Sequence, residues 1–224
     1  MARRNGPFLR LIAAYFLNGI ANGLPATLFF LFVGDVLGEG NSSGPLLLLY
    51  FVAGIIGIPI WLRISKAIGK HRAWTAAMLW ASTIFVWAPF LGEGDLLLFT
   101  LVAGLSGLAL GADLVLPASI QADVVDLDRE ESGQQRTGFF FALWSMATKL
   151  SLALAIGIAY PLLDVVGFEA GGANQPTALL TLALLYGVLP VIIKLAATAL
   201  VWRFPIDADE QAERQRRLER FSIK

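Results

Sequence analysis

G-A-D-L-V-L-P-A-S-I-Q-A-D-V-V-D-L-D-R-E-E-S-G-Q-Q-R-T-G-F-F-F-A-L-W-S-M-A-T-K-L, residues 111–150, is the stretch whose reading decides the fold. It contains two apolar segments joined by a connector dense in charges of both signs. Each segment carries one ionisable residue well inside it, Asp113 in the first and Lys149 in the second. A charge within such a run is expensive in hydrocarbon, so each is treated as a functional site whose partner has to be named.

The chain as a whole has the composition of a membrane protein. Of its 224 residues 57% are hydrophobic and only 15% charged, against roughly a quarter charged in water-soluble domains, and the mean hydropathy is +0.69. The absence of cysteine excludes disulfides and thiolate metal sites, and the single histidine leaves little for imidazole chemistry. No phosphate loop, metal-ligand spacing or nucleophile–base set appears. An enzyme is therefore not expected, and neither is a nucleic-acid partner.

A hydrocarbon core of about 30 Å needs about 20 apolar residues of helix. Six segments qualify: residues 8–33, 45–62, 73–91, 96–120, 138–163 and 177–202. None shows the short alternation of barrel strands, and lipid leaves no unpaired backbone, so all six are predicted to be helices. The fold class is an all-α membrane bundle over residues 1–204, followed by a polar tail at 205–224. The formal net charge of zero hides a strong asymmetry. Arg3, Arg4 and Arg10 open the first span, and Arg63, Lys66, Lys70 and Arg72 join the second to the third. Arg129 and Arg136 join the fourth to the fifth, and Arg203 with the tail follows the sixth. The other three connections hold only acids: Asp35 and Glu39, Glu93 and Asp95, Asp164 and Glu169. By the positive-inside rule the basic ends face the cytoplasm, so both termini are expected inside a cell (inner) membrane. The first span runs on too far, past Asn18, Asn22 and Pro25, to read as a cleaved signal peptide.

Within the spans, N-G-I-A-N-G at 18–23 sets Asn18 and Asn22 one helical turn apart, with Gly19 and Gly23 beside them. Glycines so spaced admit a close neighbour, and the asparagines either bond across helices or line a wet cavity. Gly104, Gly107 and Gly111 mark the fourth span as tightly packed. The third span carries no charge and is expected at the lipid-facing periphery, with Trp74 in an interfacial belt and His71 solvated.

Asp113 lies ~10 Å from the inner edge, Lys149 ~16 Å and Lys194 ~12 Å at 1.5 Å per residue. Antiparallel neighbours four and five bring Asp113 toward Lys149, while Lys194 either competes for Asp113 or snorkels to the interface. Lys149, Asp113, Asn18, Asn22, Ser145 and Trp144 are the candidate substrate or coupling path. Asp123, Asp126, Arg129 and Arg136 in the connector are either a solvated loop or a cytoplasmic gate that pairs with a second half of the molecule.

A-D-V-V-D-L-D at 122–128, a short charged loop, R-T-G-F-F-F-A at 136–142 and then Lys149 resemble the tenth and eleventh helices of the glycoside-pentoside-hexuronide cation symporters. That family belongs to the major facilitator superfamily and is typified by the melibiose carrier. The resemblance covers the whole chain and corresponds to the family's C-terminal six helices. It implies half of a cation-coupled carrier of a sugar or related small solute, with Lys149 matching a cavity-facing lysine. It also implies coupling by Na+ or H+ at a site mostly outside this chain, no bound cofactor otherwise, and an N-terminal six-helix half or a second copy as partner. D-L-D stands where many members have D-Y-x, and the G-A-D-L-V-L-P context of Asp113 matches no site of the family. A non-transporting six-helix accessory protein or truncated remnant is the alternative.

Overall fold

A computed structural model describes residues 6–134, 136–202 and 204. Arg3, Arg4, Arg203 and the tail at 205–224 lie outside them. Among the described residues there is no strand, and six helices are long and apolar enough to cross a membrane. They are α1 (Gly6–Leu31, run on by a π-helical turn at Phe32–Val36), α2 (Ser43–Ile68), α3 (Lys70–Phe85), α4 (Leu96–Ser132), α5 (Thr137–Val165) and α6 (Pro176–Val201, with a π-helical turn at Leu184–Val188).

Small residues decide which helices touch. α2 and α4 share the tightest seam. A Cβ on Gly57 would run into the Leu108 carbonyl, one on Gly107 would lie 2.5 Å from the Tyr50 carbonyl oxygen, and one on Gly111 2.5 Å from Ile58 N. The Trp61 indole N–H crosses the same seam to Leu108 O at 2.9 Å. Gly104 is packed less tightly, since a Cβ there would make only an ordinary contact with Leu49 of α2 at 3.8 Å. On the other side of the bundle, Gly19 and Gly23 let α1 close on Ser151 and Ala155 of α5. Burying small residues in this way brings backbones together where lipid supplies no hydrophobic drive for helices to associate.

The ends of the bundle are organised by the connections. At one end the Arg10 side chain donates to Leu200 O, Phe8 packs edge-on against Phe140, and Lys70 pairs with Asp123 at 2.6 Å. At the other, Asp35 accepts the Gly171 N–H at 2.7 Å, and Phe32 stacks on Tyr186 with ring centroids 4.2 Å apart. Basic connections thus gather at one end and acidic ones at the other.

Two features differ from the sequence reading. The apolar run of span four ends near residue 120, but the helix continues to Ser132, where Gly133 closes it at φ 66°. Asp123, Asp126 and Arg129 therefore ride on helix, because nothing in Q-A-D-V-V-D-L-D-R-E-E breaks one. α3 is not peripheral: Trp74 is fully buried and His71 is 6% exposed, because the face carrying Ala73, Trp74, Ala77 and Met78 packs inward.

Candidate functional site

The buried charges meet at the centre of the bundle. α4 presents Asp113, packed in place by the Gly107–Gly111 seam with α2. α1 presents Asn18 and Asn22 at i and i+4, which puts both amides on one face. Their amide N–H groups donate to Asp113, Asn18 to Oδ1 at 3.0 Å and Asn22 to Oδ2 at 2.9 Å. The Trp74 indole N–H of α3 adds a third donor to Oδ1 at 2.7 Å. From α6, Lys194 donates through Nζ to Asn18 Oδ1 and Asn22 Oδ1, both at 2.8 Å, and lies 3.6 Å from Asp113 Oδ2. Each asparagine therefore bridges carboxylate and ammonium. Lys194 is 6% exposed and Asn18 2%, so the ring of bonds replaces water for both charges. A buried carboxylate and ammonium persist only when paired and hydrogen-bonded in this way.

This centre forms the polar end of a partly open cavity of about 390 Å³ lined by α1, α2, α3, α4 and α6. The walls are mostly hydrocarbon and aromatic, including Phe29, Phe85, Phe99 and Tyr186, and the exposed Phe30 and Phe51 border one side. Pro25 and Pro190 stand in the wall and Pro117 follows one turn after Asp113. Proline has no N–H to give the carbonyl four residues back, so the carbonyls of Ala21, Tyr186 and Asp113 each lack that helical donor.

Lys149 lies elsewhere. It is exposed on α5 together with Ser145 and Thr148, and it makes no hydrogen bond or ion pair among the described residues. Asn18 and Asn22, expected beside it, belong to the Asp113–Lys194 centre instead. Beside this exposed stripe, Trp144 stacks on Tyr15 of α1 with centroids 3.7 Å apart, and the Tyr15 hydroxyl is 3.0 Å from Thr148 Oγ1. The structure thus separates the expected path residues into an internal group of buried Asn18 with half-buried Asn22 and Asp113, and a group on α5 of exposed Lys149 and Ser145 with half-buried Trp144.

Of the connector residues, Asp123 is bound within the bundle by Lys70, through both carboxylate oxygens at 2.9 and 2.6 Å. Arg136 lies 3.9 Å from Asp128 and hydrogen-bonds Gln134. Asp126 and Arg129 are exposed.

Trp74 was the residue sequence reasoning missed. The available signal was its position one turn into α3 on the face that also carries Ala73 and Ala77, small residues suited to a helix–helix contact. Among the described residues no group of three or more His, Cys, Asp or Glu side chains comes together to hold a metal ion.

A half-dozen apolar helices around a buried ion pair define a multi-pass membrane protein. The chain belongs to the MFS/sugar transport protein family, whose model matches residues 2–208. Among its relatives are the sodium-dependent lysophosphatidylcholine symporter 1 of Homo sapiens, 26% identical over 96% of this chain and 40% of that protein, and the sphingosine-1-phosphate transporter MFSD2B of Xenopus tropicalis, 28% identical over 93% of this chain and 41% of that protein. The uncharacterized symporter sll1374 of Synechocystis sp. is 26% identical over 92% of this chain and 39% of that protein. The chain spans about two fifths of the length of these relatives. The family is one of transporters, not enzymes.

Proposed function

We propose that the chain forms one half of a secondary active transporter that moves a small amphiphilic solute together with Na+ or H+ by alternating access. Carriers of this architecture rock two repeat bundles about a site between them, and this chain supplies one bundle. The missing half is an N-terminal six-helix bundle or a second copy of the chain. Both termini and the basic connections lie on the cytoplasmic side of the cell (inner) membrane.

The observation that carries the reading is the exposed stripe of Ser145, Thr148 and Lys149 on an otherwise apolar membrane helix. An ammonium left against hydrocarbon costs at least about 2.5 kcal/mol on the most lenient scale. A water-filled cavity between two halves removes that cost and gives Lys149 a solute to touch. The gate role of Asp123, Asp126, Arg129 and Arg136 belongs to the same reading: exposed Asp126 and Arg129 are free to meet the second half, while Asp123 is held by Lys70 and Arg136 lies beside Asp128.

The reading of the solute as an amphiphile is supported by the cavity of about 390 Å³ beside the Asp113–Lys194 centre, which no residue of α5 lines. The cavity walls offer few hydrogen-bonding groups, and those of Asn22, Asp113 and Lys194 are already engaged with one another. Beyond them the lining offers only the hydroxyls of Tyr50, Ser82, Ser106 and Tyr186, fewer partners than a sugar's hydroxyls call for, whereas a single hydrocarbon chain suits the apolar walls. Lysophosphatidylcholine and sphingosine-1-phosphate, in the relatives' names, are both single-chain amphiphiles. A sugar is the second reading, favoured by the Trp144–Tyr15 stack beside Ser145 and Thr148, since an aromatic face flanked by polar groups suits a sugar ring.

Uptake of a labelled lysophospholipid and of a labelled disaccharide, each with and without a Na+ or H+ gradient, tests the proposal in cells making the chain with its complementing half. Gradient-driven lysophospholipid uptake is the expected result. Disaccharide uptake alone would move the assignment to the sugar reading, and no gradient-driven uptake of either would leave the non-transporting accessory protein.

A further inference from the structure

The surroundings of Lys194 have the make-up of a cation site. Three oxygens converge on its Nζ: Asn18 Oδ1 and Asn22 Oδ1 at 2.8 Å and Asp113 Oδ2 at 3.6 Å. Two neutral carbonyl-type oxygens and one carboxylate are the donors that hard cations select. Their aim is not incidental. Each asparagine gives its N–H to Asp113, which forces its oxygen toward Nζ, and turning either amide over would set N–H against ammonium and oxygen against carboxylate. Trp74 holds Asp113 from a third helix, so the oxygens are fixed by contacts that do not involve Lys194 at all. Asn22, Asp113 and Lys194 also border the cavity, which gives the spot occupied by Nζ a route to water.

We propose that the oxygens of Asn18, Asn22 and Asp113 form a monovalent-cation site that Lys194 fills with its own ammonium, so that the bundle carries a tethered cation where an exchangeable one would otherwise bind. Lysine suits this role because its ammonium is a compact point charge with three donors on a flexible stem. It delivers one positive charge from α6 to a cage built on α1 and α4, and the site is charge-balanced without help from solution. The inference concerns the chain's internal charge balance and stands whether or not the transported solute is an amphiphile.

Two consequences separate a tethered cation from an ordinary structural ion pair. The wild type is indifferent to which monovalent cation is in the buffer, because its cage is full. Lys194→Ala empties the cage while leaving the Asn18–Asp113, Asn22–Asp113 and Trp74–Asp113 bonds in place, and the variant takes up an alkali ion with cavity water completing its shell.

The test is thermal unfolding of the purified full chain, followed by tryptophan fluorescence in equal concentrations of KCl, NaCl and choline chloride. The wild type is expected to melt at one temperature in all three. Lys194→Ala is expected to melt about 5 °C higher in a saturating alkali salt than in choline, as binding to the folded state alone requires. The double variant Asp113→Asn, Lys194→Ala, which has lost the carboxylate, is expected to show no such difference. Equal midpoints for Lys194→Ala in all three salts would overturn the proposal. So would failure of Lys194→Ala to accumulate when the charge-neutral double variant does, because a competent cage would have been filled by the potassium of the cell.

Discussion

At Asp113, three N–H donors from two other helices and an ammonium from a third are drawn to one carboxylate, and every one of those bonds has a price if it is broken. Removing one member of a buried pair leaves the other charge uncompensated and costs about 3–5 kcal/mol, while removing both is far milder. Asp113→Asn and Lys194→Met are therefore each expected to lower the unfolding midpoint of the purified chain in choline buffer, and the double variant to recover more than half of the loss. Additive losses would mean that the two side chains do not act as a pair. Trp74 provides an independent check. Its indole donates to the ionised carboxylate at 2.7 Å, and a hydrogen bond to a charged group contributes about 1.5–3 kcal/mol. Trp74→Phe is expected to destabilise by that amount, whereas Trp87→Phe, at an indole 63% exposed, is expected to change nothing measurable in the same melting experiment. The pairing itself was partly legible. Lys194 stood as a competing partner, and Asp113 and Lys194 differ by only ~2 Å in depth while Lys149 lies ~6 Å deeper than Asp113, a difference that agrees with the observed pair. What hid it was adjacency in sequence, which draws span four to span five, although α4 packs instead on α2 and α3.

The six helices were legible because hydrocarbon allows no other backbone solution, and their apolar runs are long enough to count. Their ends were less so. The apolar run that stops near residue 120 reports where the membrane ends, and the helix of α4 runs on through charged residues that water tolerates just as well. The π-helical turns at Phe32–Val36 and Leu184–Val188 have no sequence signature, and they meet through the Phe32–Tyr186 stack. Glycine spacing told which faces pack but not which glycine matters. Gly111 has Ile58 N at 2.5 Å from where its Cβ would be, and Gly104 has nothing nearer than 3.8 Å. A methyl at Gly111 has to push the α2 backbone away, at a cost of about 1–3 kcal/mol. The same methyl at Gly104 makes an ordinary contact with Leu49 and favours helix by about 0.5–1 kcal/mol. Gly111→Ala is thus expected to lower the melting temperature and Gly104→Ala to hold or raise it. Opposite results would place the α2–α4 contact at Gly104.

For the whole molecule, the uneven burial of the six helices matters most. Over its most apolar stretch α5 is only 22% buried and α2 28%, while the other four spans lie between 44% and 50%. These two helices have faces that the bundle does not cover, and α5 carries Lys149 on the exposed side. The chain has no native cysteine, so single cysteines report sidedness directly. A cysteine at Lys66 is expected to resist an impermeant thiol reagent applied to intact cells and one at Glu93 to react, and the reverse pattern would invert the topology. The sidedness bears on Lys149, whose depth of ~16 Å from the inner edge is too great for its stem to reach either interface easily. If it faces a water-filled cavity between two halves, Lys149→Ala removes a charge that contacts only solute and water. The unfolding midpoint of the chain and its level in the membrane are then expected to stay at wild-type values, because no bond within the bundle is lost. Uptake by the carrier assembled from both halves is expected to fall at least tenfold, the loss of a single charged contact of about 1.4 kcal/mol or more. Lys149→Arg keeps the charge and is expected to retain part of the activity. A Lys149→Ala chain that melts well below the wild type would show that the ammonium is bound within the protein, and a Lys149→Ala carrier with full uptake would take Lys149 out of the solute path.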